Sequence, residues 1–275
     1  MTSVEINVII TLLAVLMVGT LVIWGLSRIL RKRRMLEFNK GPGNPDEPAP
    51  ASPWRRYTGA LGAPYAHPEW LRVPATKRLH TPEQVYYGYA SAMTPFAVIN
   101  VLRIDWGVKN EQQAHKRLNQ AREVITDQAV AVAAERGLPG GEDPFREKLI
   151  HAGASADVVD EFIARIHEMQ EGDVGDADID GLAFDIARVS NLVRWSGNVR
   201  YVEAEQGDAY LDGVGVAAAA VFRDWDDFSR AYLAGLSTRF KGGSKHYIKA
   251  VEWLRTDFSS PWFRQPWITA IKSTK

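Results

Sequence analysis

The stretch LAFDIARVSNLVRW, Leu182–Trp195, decides the fold class. At a helical period, Leu182, Ile186, Val189 and Val193 form one apolar stripe, and Phe184, Leu192 and Trp195 form a second. A helix that is apolar on two sides belongs at the centre of a helical domain. Asp185 and Arg188 stand three residues apart on the flank between the stripes, where they can pair. If that flank is covered they must pair, because an isolated buried charge is very costly. The expectation is therefore a structural ion pair.

Helical spacing recurs on both sides of this segment. Thr81, Pro82 and Gln84 form a helix start with a capping box, and the pattern after it predicts a helix to about Ile104. Asn110 caps the next helix, which Gly137 closes. Asp143-Pro144 and Ser155 begin two shorter ones, and helices follow over Glu203–Phe222, Trp225–Phe240 and Lys245–Leu254. Trp54–Thr81, broken by Pro64, Pro68 and Pro74, is expected to be irregular, with its rings turned inward. No run of alternating strand residues stands out, so the class is all-α, a compact multi-helix domain over residues 54–275.

Upstream, residues 39–53 read NKGPGNPDEPAPASP, with five prolines, a semi-rigid extended linker. Before it, VIITLLAVLMVGTLVIWGLS, Val8–Ser27, runs 20 residues without a charge. That is long enough at about 1.5 Å per residue to cross a bilayer core. Arg28, Arg31, Lys32, Arg33 and Arg34 follow it, against Glu5 before it. By the positive-inside rule, residues 1–38 are a single-pass membrane anchor with its basic flank. The N-terminus is then outside and the C-terminal domain cytoplasmic.

The formal net charge is zero, but residues 1–40 carry six Lys or Arg against two Asp or Glu, leaving the rest mildly acidic. A nucleic-acid surface would need a basic domain, so none is expected. The absence of cysteine excludes disulfides and thiol chemistry. Asp224, Asp226 and Asp227 could suggest a metal site, but Asp224 stands at a cap position with Asp227 in the first turn, which reads as a helix start. Phe228, Tyr232, Leu236 and Phe240 then form a core stripe, and Gly235 permits close packing. GVGVAA, Gly213–Ala218, fits a dinucleotide fingerprint only in letters, since it lies inside a helix pattern and follows no strand. The six histidines show no metal-ligand spacing and no nucleophile motif is visible, so no metal or cofactor is expected.

Four stretches together resemble a known family: DWGV (Asp105–Val108), FDIARVSNLVRW (Phe184–Trp195), DWDDFSRAYLAG (Asp224–Gly235) and DFSSPWFRQPW (Asp257–Trp267). The chain is similar to bacterial proteins of the domain of unknown function 1266 family. The resemblance implies a helical domain of unassigned activity and transfers no catalytic residue. The anchor and the linker lead to the expectation of a membrane-anchored cytoplasmic module for protein binding or membrane-proximal organisation. The alternatives are an enzyme, perhaps a hydrolase, with its site around Asp185 and Arg188, or a small-ligand sensor with a pocket lined by Trp195, Trp225 and Tyr232.

Overall fold

The computed structural model describes residues 48–170, 179–239 and 245–270, together with Met17 and Thr20. Apart from those two residues the apolar run 8–27 lies outside the described residues, as do Phe240 and the loop after it to residue 244. Among the described residues no helix is long and apolar enough to cross a membrane. The chain divides into two units, Met1–Lys40 and Gly41–Lys275.

The second unit is all-helical among its described residues. In order it has α1 (Pro53–Leu61), α2 (Ala63–Arg72), α3 (Pro82–Tyr87), α4 (Pro95–Asp105), α5 (Glu111–Arg136) and α6 (Glu142–Ala152). Then come α7 (Ala156–Gln170), α8 (Ile179–Asn198), α9 (Ala204–Val221), α10 (Trp225–Arg239), α11 (Lys245–Thr256) and α12 (Pro261–Arg264).

The expected caps are present. Thr81 Oγ accepts from the Gln84 amide at 3.3 Å while Gln84 Oε1 accepts from the Thr81 amide at 2.7 Å. Asn110 accepts from the Gln113 amide at 3.0 Å, and Gly137, at φ 77°, ends α5. Asp224 accepts from the Asp227 amide at 2.7 Å, so the acidic cluster is a helix start.

Two expectations fail, for connected reasons. The segment Trp54–Thr81 is largely helical rather than irregular. Pro53 and Pro64 sit in the first turns of α1 and α2, where a missing N–H costs nothing. Pro68 falls inside α2, where it does remove a hydrogen bond, yet burial of Ala63, Pro64, Ala66, His67, Pro68 and Glu69 holds the helix. The helix expected from Pro82 to Ile104 breaks over 88–94 and restarts at Pro95, with Thr94 as cap. That break delivers Tyr89, Ala90 and Ser91 to contacts with distant helices.

Helix α8 is the axis. It packs on α1, α2, α4, α5, α9 and α10, most extensively on α10. Gly235 of α10 makes that approach possible, since a Cβ there would collide with the Asp180 carbonyl. Gly215 of α9 does the same against Thr58 and Trp54 of α1, so GVGVAA is a packing face inside a helix. Leu182, Phe184, Ile186, Leu192 and Val193 are essentially sealed from solvent, each such side chain contributing roughly 1.5–3 kcal/mol. Phe228, Tyr232 and Leu236 of α10 are likewise buried.

Candidate functional site

From Gly181 to Asn198 every residue of α8 is buried except two, Asp185 and Arg188. The expected pair is real but open. Their nearest charged atoms are 3.8 Å apart, with 22% of the Asp185 side chain and 31% of the Arg188 side chain exposed. This corrects the expectation of a covered structural pair. The flank between the two apolar stripes is a window through which the central helix reaches solvent.

That window opens on a cleft of about 370 Å³, lined by Asp105 and Trp106 at the end of α4, by Arg117, Gln120, Ala121, Val124 and Ile125 of α5, by Asp185, Arg188 and Val189 of α8, and by Arg239 of α10. Asp185 organises its cationic side. One carboxylate oxygen faces Arg188 and the other accepts from Arg239 Nη2 at 3.3 Å. The Arg188 guanidinium lies over the Trp106 indole, 4.4 Å from its centroid, a cation–π contact. Arg117 reaches the Trp106 carbonyl at 3.5 Å. Ala121, Val124, Ile125 and Val189 supply an apolar wall.

Of the other sequence candidates, Tyr232 stands one ring behind this cleft. It stacks on Phe184 at 5.9 Å, and Arg188 and Arg239 lie over that same ring at 5.5 and 5.6 Å. Burial holds the Tyr232 hydroxyl well above its ordinary pKa. Trp225 lies elsewhere, stacked on Trp262 at 4.9 Å and edge-on to Trp267 at 4.7 Å, its Nε1 donating to the Gln265 carbonyl at 2.7 Å. Trp195 belongs to a third place. The five candidates therefore do not converge on one pocket.

Trp195 marks a group that the sequence did not single out. Glu69 of α2 and Arg194 of α8 are each only 5% exposed and meet at 2.6 Å. Glu69 also accepts from Trp195 Nε1 at 2.9 Å and from Ser91 Oγ at 3.0 Å. Arg194 donates further to the Ala90 carbonyl at 3.0 Å and to Asn191 Oδ1. Both charges are surrounded by partners, which is what burial of an ion pair requires. Reading Trp54–Thr81 as irregular hid Glu69; the buried polar run of the α8 C-terminal half, Ser190, Asn191, Arg194, Ser196 and Asn198, was the signal available.

Two smaller clefts flank α3. One, about 300 Å³, is aromatic and holds His67, Trp70, Tyr86 and Trp253. His67 stacks on Trp253 at 3.9 Å and shares a 2.8 Å hydrogen bond with the Tyr86 hydroxyl. Burial lowers its pKa to about 4, with Asp257 acting weakly against the shift. The other, about 310 Å³, lies between Pro48–Ser52 and the side chains of Arg55, Tyr89 and Asp208. There Arg55 pairs with Asp208 at 2.7 Å, and the Tyr89 hydroxyl bonds the Asp208 carboxylate as well. The Tyr89 ring fills a slot left by Gly197 and Gly207. Among the described residues no group of three or more His, Asp or Glu gathers in a way that could hold a metal ion.

The four stretches that carry the family resemblance pair up in this architecture. Trp106 of the first meets Arg188 of the second at the cleft, and Trp225 of the third stacks on Trp262 of the fourth. Neither a curated protein nor a solved structure matches the chain. The model of one family, described as a protein of unknown function (DUF1266), matches residues 101–267, from α4 to the C-terminal aromatic cluster. All the cleft-lining residues lie in that range, and the chain belongs to the DUF1266 family.

Proposed function

We propose that the protein is a single-pass membrane-anchored module that presents its helical unit on the cytoplasmic side to a protein partner. The observation that carries this reading is the charge-free run 8–27 followed by the basic cluster 28–34. The proline-rich segment 39–53 supports it, because it hands over to the first helix of the folded unit at Pro53 and so serves as a spacer. The test is fractionation of cells making the full chain with a reporter fused after Lys275. The chain should stay in the membrane pellet through alkaline carbonate, dissolve only in detergent and report from the cytoplasm. Extraction by carbonate would refute the anchor, and a reporter signal from the other side would refute the orientation.

A second reading, that the helical unit senses a small ligand, is favoured by one specific observation. From Gly181 to Asn198 the central helix is buried except where Asp185 and Arg188 line the 370 Å³ cleft. A volume of that size is within the range of small-ligand sites, roughly 300–1,000 Å³. A guanidinium is a permanent cation and a donor only, so the cleft's arginines are suited to holding a ligand rather than to transferring protons.

A further inference from the structure

Resting on the ligand-sensor reading, we infer that the cleft binds an organic anion: a carboxylate or phosphate carried on a compact apolar, preferably aromatic, body. Three arginines from three different helices line it, Arg117 of α5, Arg188 of α8 and Arg239 of α10. Such convergence is the arrangement that recognises carboxylate and phosphate groups, because the planar guanidinium presents paired donors to two oxygens at once.

Asp185 does not consume this capacity. It meets Arg188 and Arg239 with one oxygen each, at 3.8 and 3.3 Å, whereas each guanidinium has five N–H donors. Its role is positioning: it holds two like charges side by side, and with Arg117 added the three cations still outnumber the two carboxylates, Asp105 and Asp185. The Trp106 indole fixes Arg188 from below at 4.4 Å. Beside the arginines, Ala121, Val124, Ile125 and Val189 form a wall that offers an oxyanion nothing and an apolar ring a good deal. A bare inorganic anion would use only half of the site.

The test is calorimetric titration of the full chain in lipid nanodiscs with phenyl phosphate, benzoate, inorganic phosphate and neutral benzamide. Phenyl phosphate or benzoate should bind, the stronger of the two naming the anionic group, and inorganic phosphate should bind about tenfold or more weakly. Arg188→Gln and Arg239→Gln should each weaken the binding about tenfold or more. Arg188→Lys should recover only part of it, since an ammonium is a point charge. Ala121→Trp, which fills the cleft, should abolish it. Arg230→Gln removes an exposed arginine of the same helix as Arg239 that pairs with Asp227, and it should change nothing.

Loss of binding in Arg230→Gln equal to that in Arg188→Gln would mean diffuse charge attraction and overturn the inference. Binding of benzamide alone, abolished by Ala121→Trp, would overturn the anion class while leaving a ligand cleft. Binding of none of the four probes would remove the inference together with the reading on which it rests.

Discussion

Two arginines six residues apart on α8 have opposite surroundings. Arg194 is enclosed with Glu69, Asn191 and the Ala90 carbonyl, every partner within hydrogen-bond reach, and Trp195 donates to the same Glu69 carboxylate. Arg188 lies in a solvent-open cleft, held by one long contact to Asp185 and by the face of Trp106. Residue type is the same; desolvation makes the difference. A buried charge requires a complete set of partners and then belongs to the fold. A half-exposed one keeps spare donors and is available to a ligand.

The largest effect expected from this comparison comes from cutting the chain where the family match begins. Glu69 and the Ala90 carbonyl both lie upstream of residue 101, so a chain starting there would leave Arg194 buried without its carboxylate. It would also expose the faces of α8, α9 and α11 that α1 and α2 cover. Such a chain should fail to unfold cooperatively in urea, whereas a chain starting at residue 48 should show a single transition by circular dichroism. A cooperative transition for the shorter chain would show that the enclosed network is dispensable.

The boundaries of α5, α8, α9 and α10 follow from caps and periodicity, because Asn110, Gly137, Asp224 and the twin stripes of α8 are local signals. Gly235 was likewise readable as a close-packing position, and GVGVAA as part of a helix. The helices α1 and α2 were hidden by prolines, of which Pro53 and Pro64 open helices and Pro68 is offset by burial that no local pattern records. Tertiary contacts of Tyr89, Ala90 and Ser91 accompany the break after α3; the partners of Tyr89 and Ala90 lie more than a hundred residues away, and that of Ser91 lies 22 residues upstream. As for the site, periodicity located Asp185 and Arg188 on the right flank but could not say whether that flank was covered. Arg117 and Arg239, which complete the cleft, are distant in sequence and carried no signal.

A middle-sized effect tests the packing that holds the two regions of α8 in one frame. Gly235→Ala would drive a methyl into the Asp180 carbonyl and against Phe184, at a cost of about 1–3 kcal/mol by overpacking. Chemical denaturation should show it as a lowered midpoint with an unchanged slope. An unaltered midpoint would mean that α10 can slide on α8.

A smaller effect should appear with pH. His67 is held neutral in the fold, its pKa lowered from 6.5 to about 4 mainly by burial. The unfolded chain therefore takes up the proton first as pH falls. Its contribution to stability should be complete above about pH 6.5 and decline progressively toward pH 4. Melts of the parent and of His67→Phe over that window should show a shallower pH dependence in the variant. Parallel curves would mean that the ring is protonated as readily in the fold as out of it.

The most direct test of the division of labour on α8 is a pair of denaturant melts on the full chain, Arg194→Gln beside Arg188→Gln. Removing Arg194 strands the Glu69 carboxylate in the interior and should cost about 3–5 kcal/mol. Removing Arg188 breaks a partly exposed pair and its contact with the Trp106 ring, and should cost about 1–2 kcal/mol. Equal losses in the two variants, or a larger loss at Arg188, would contradict the account.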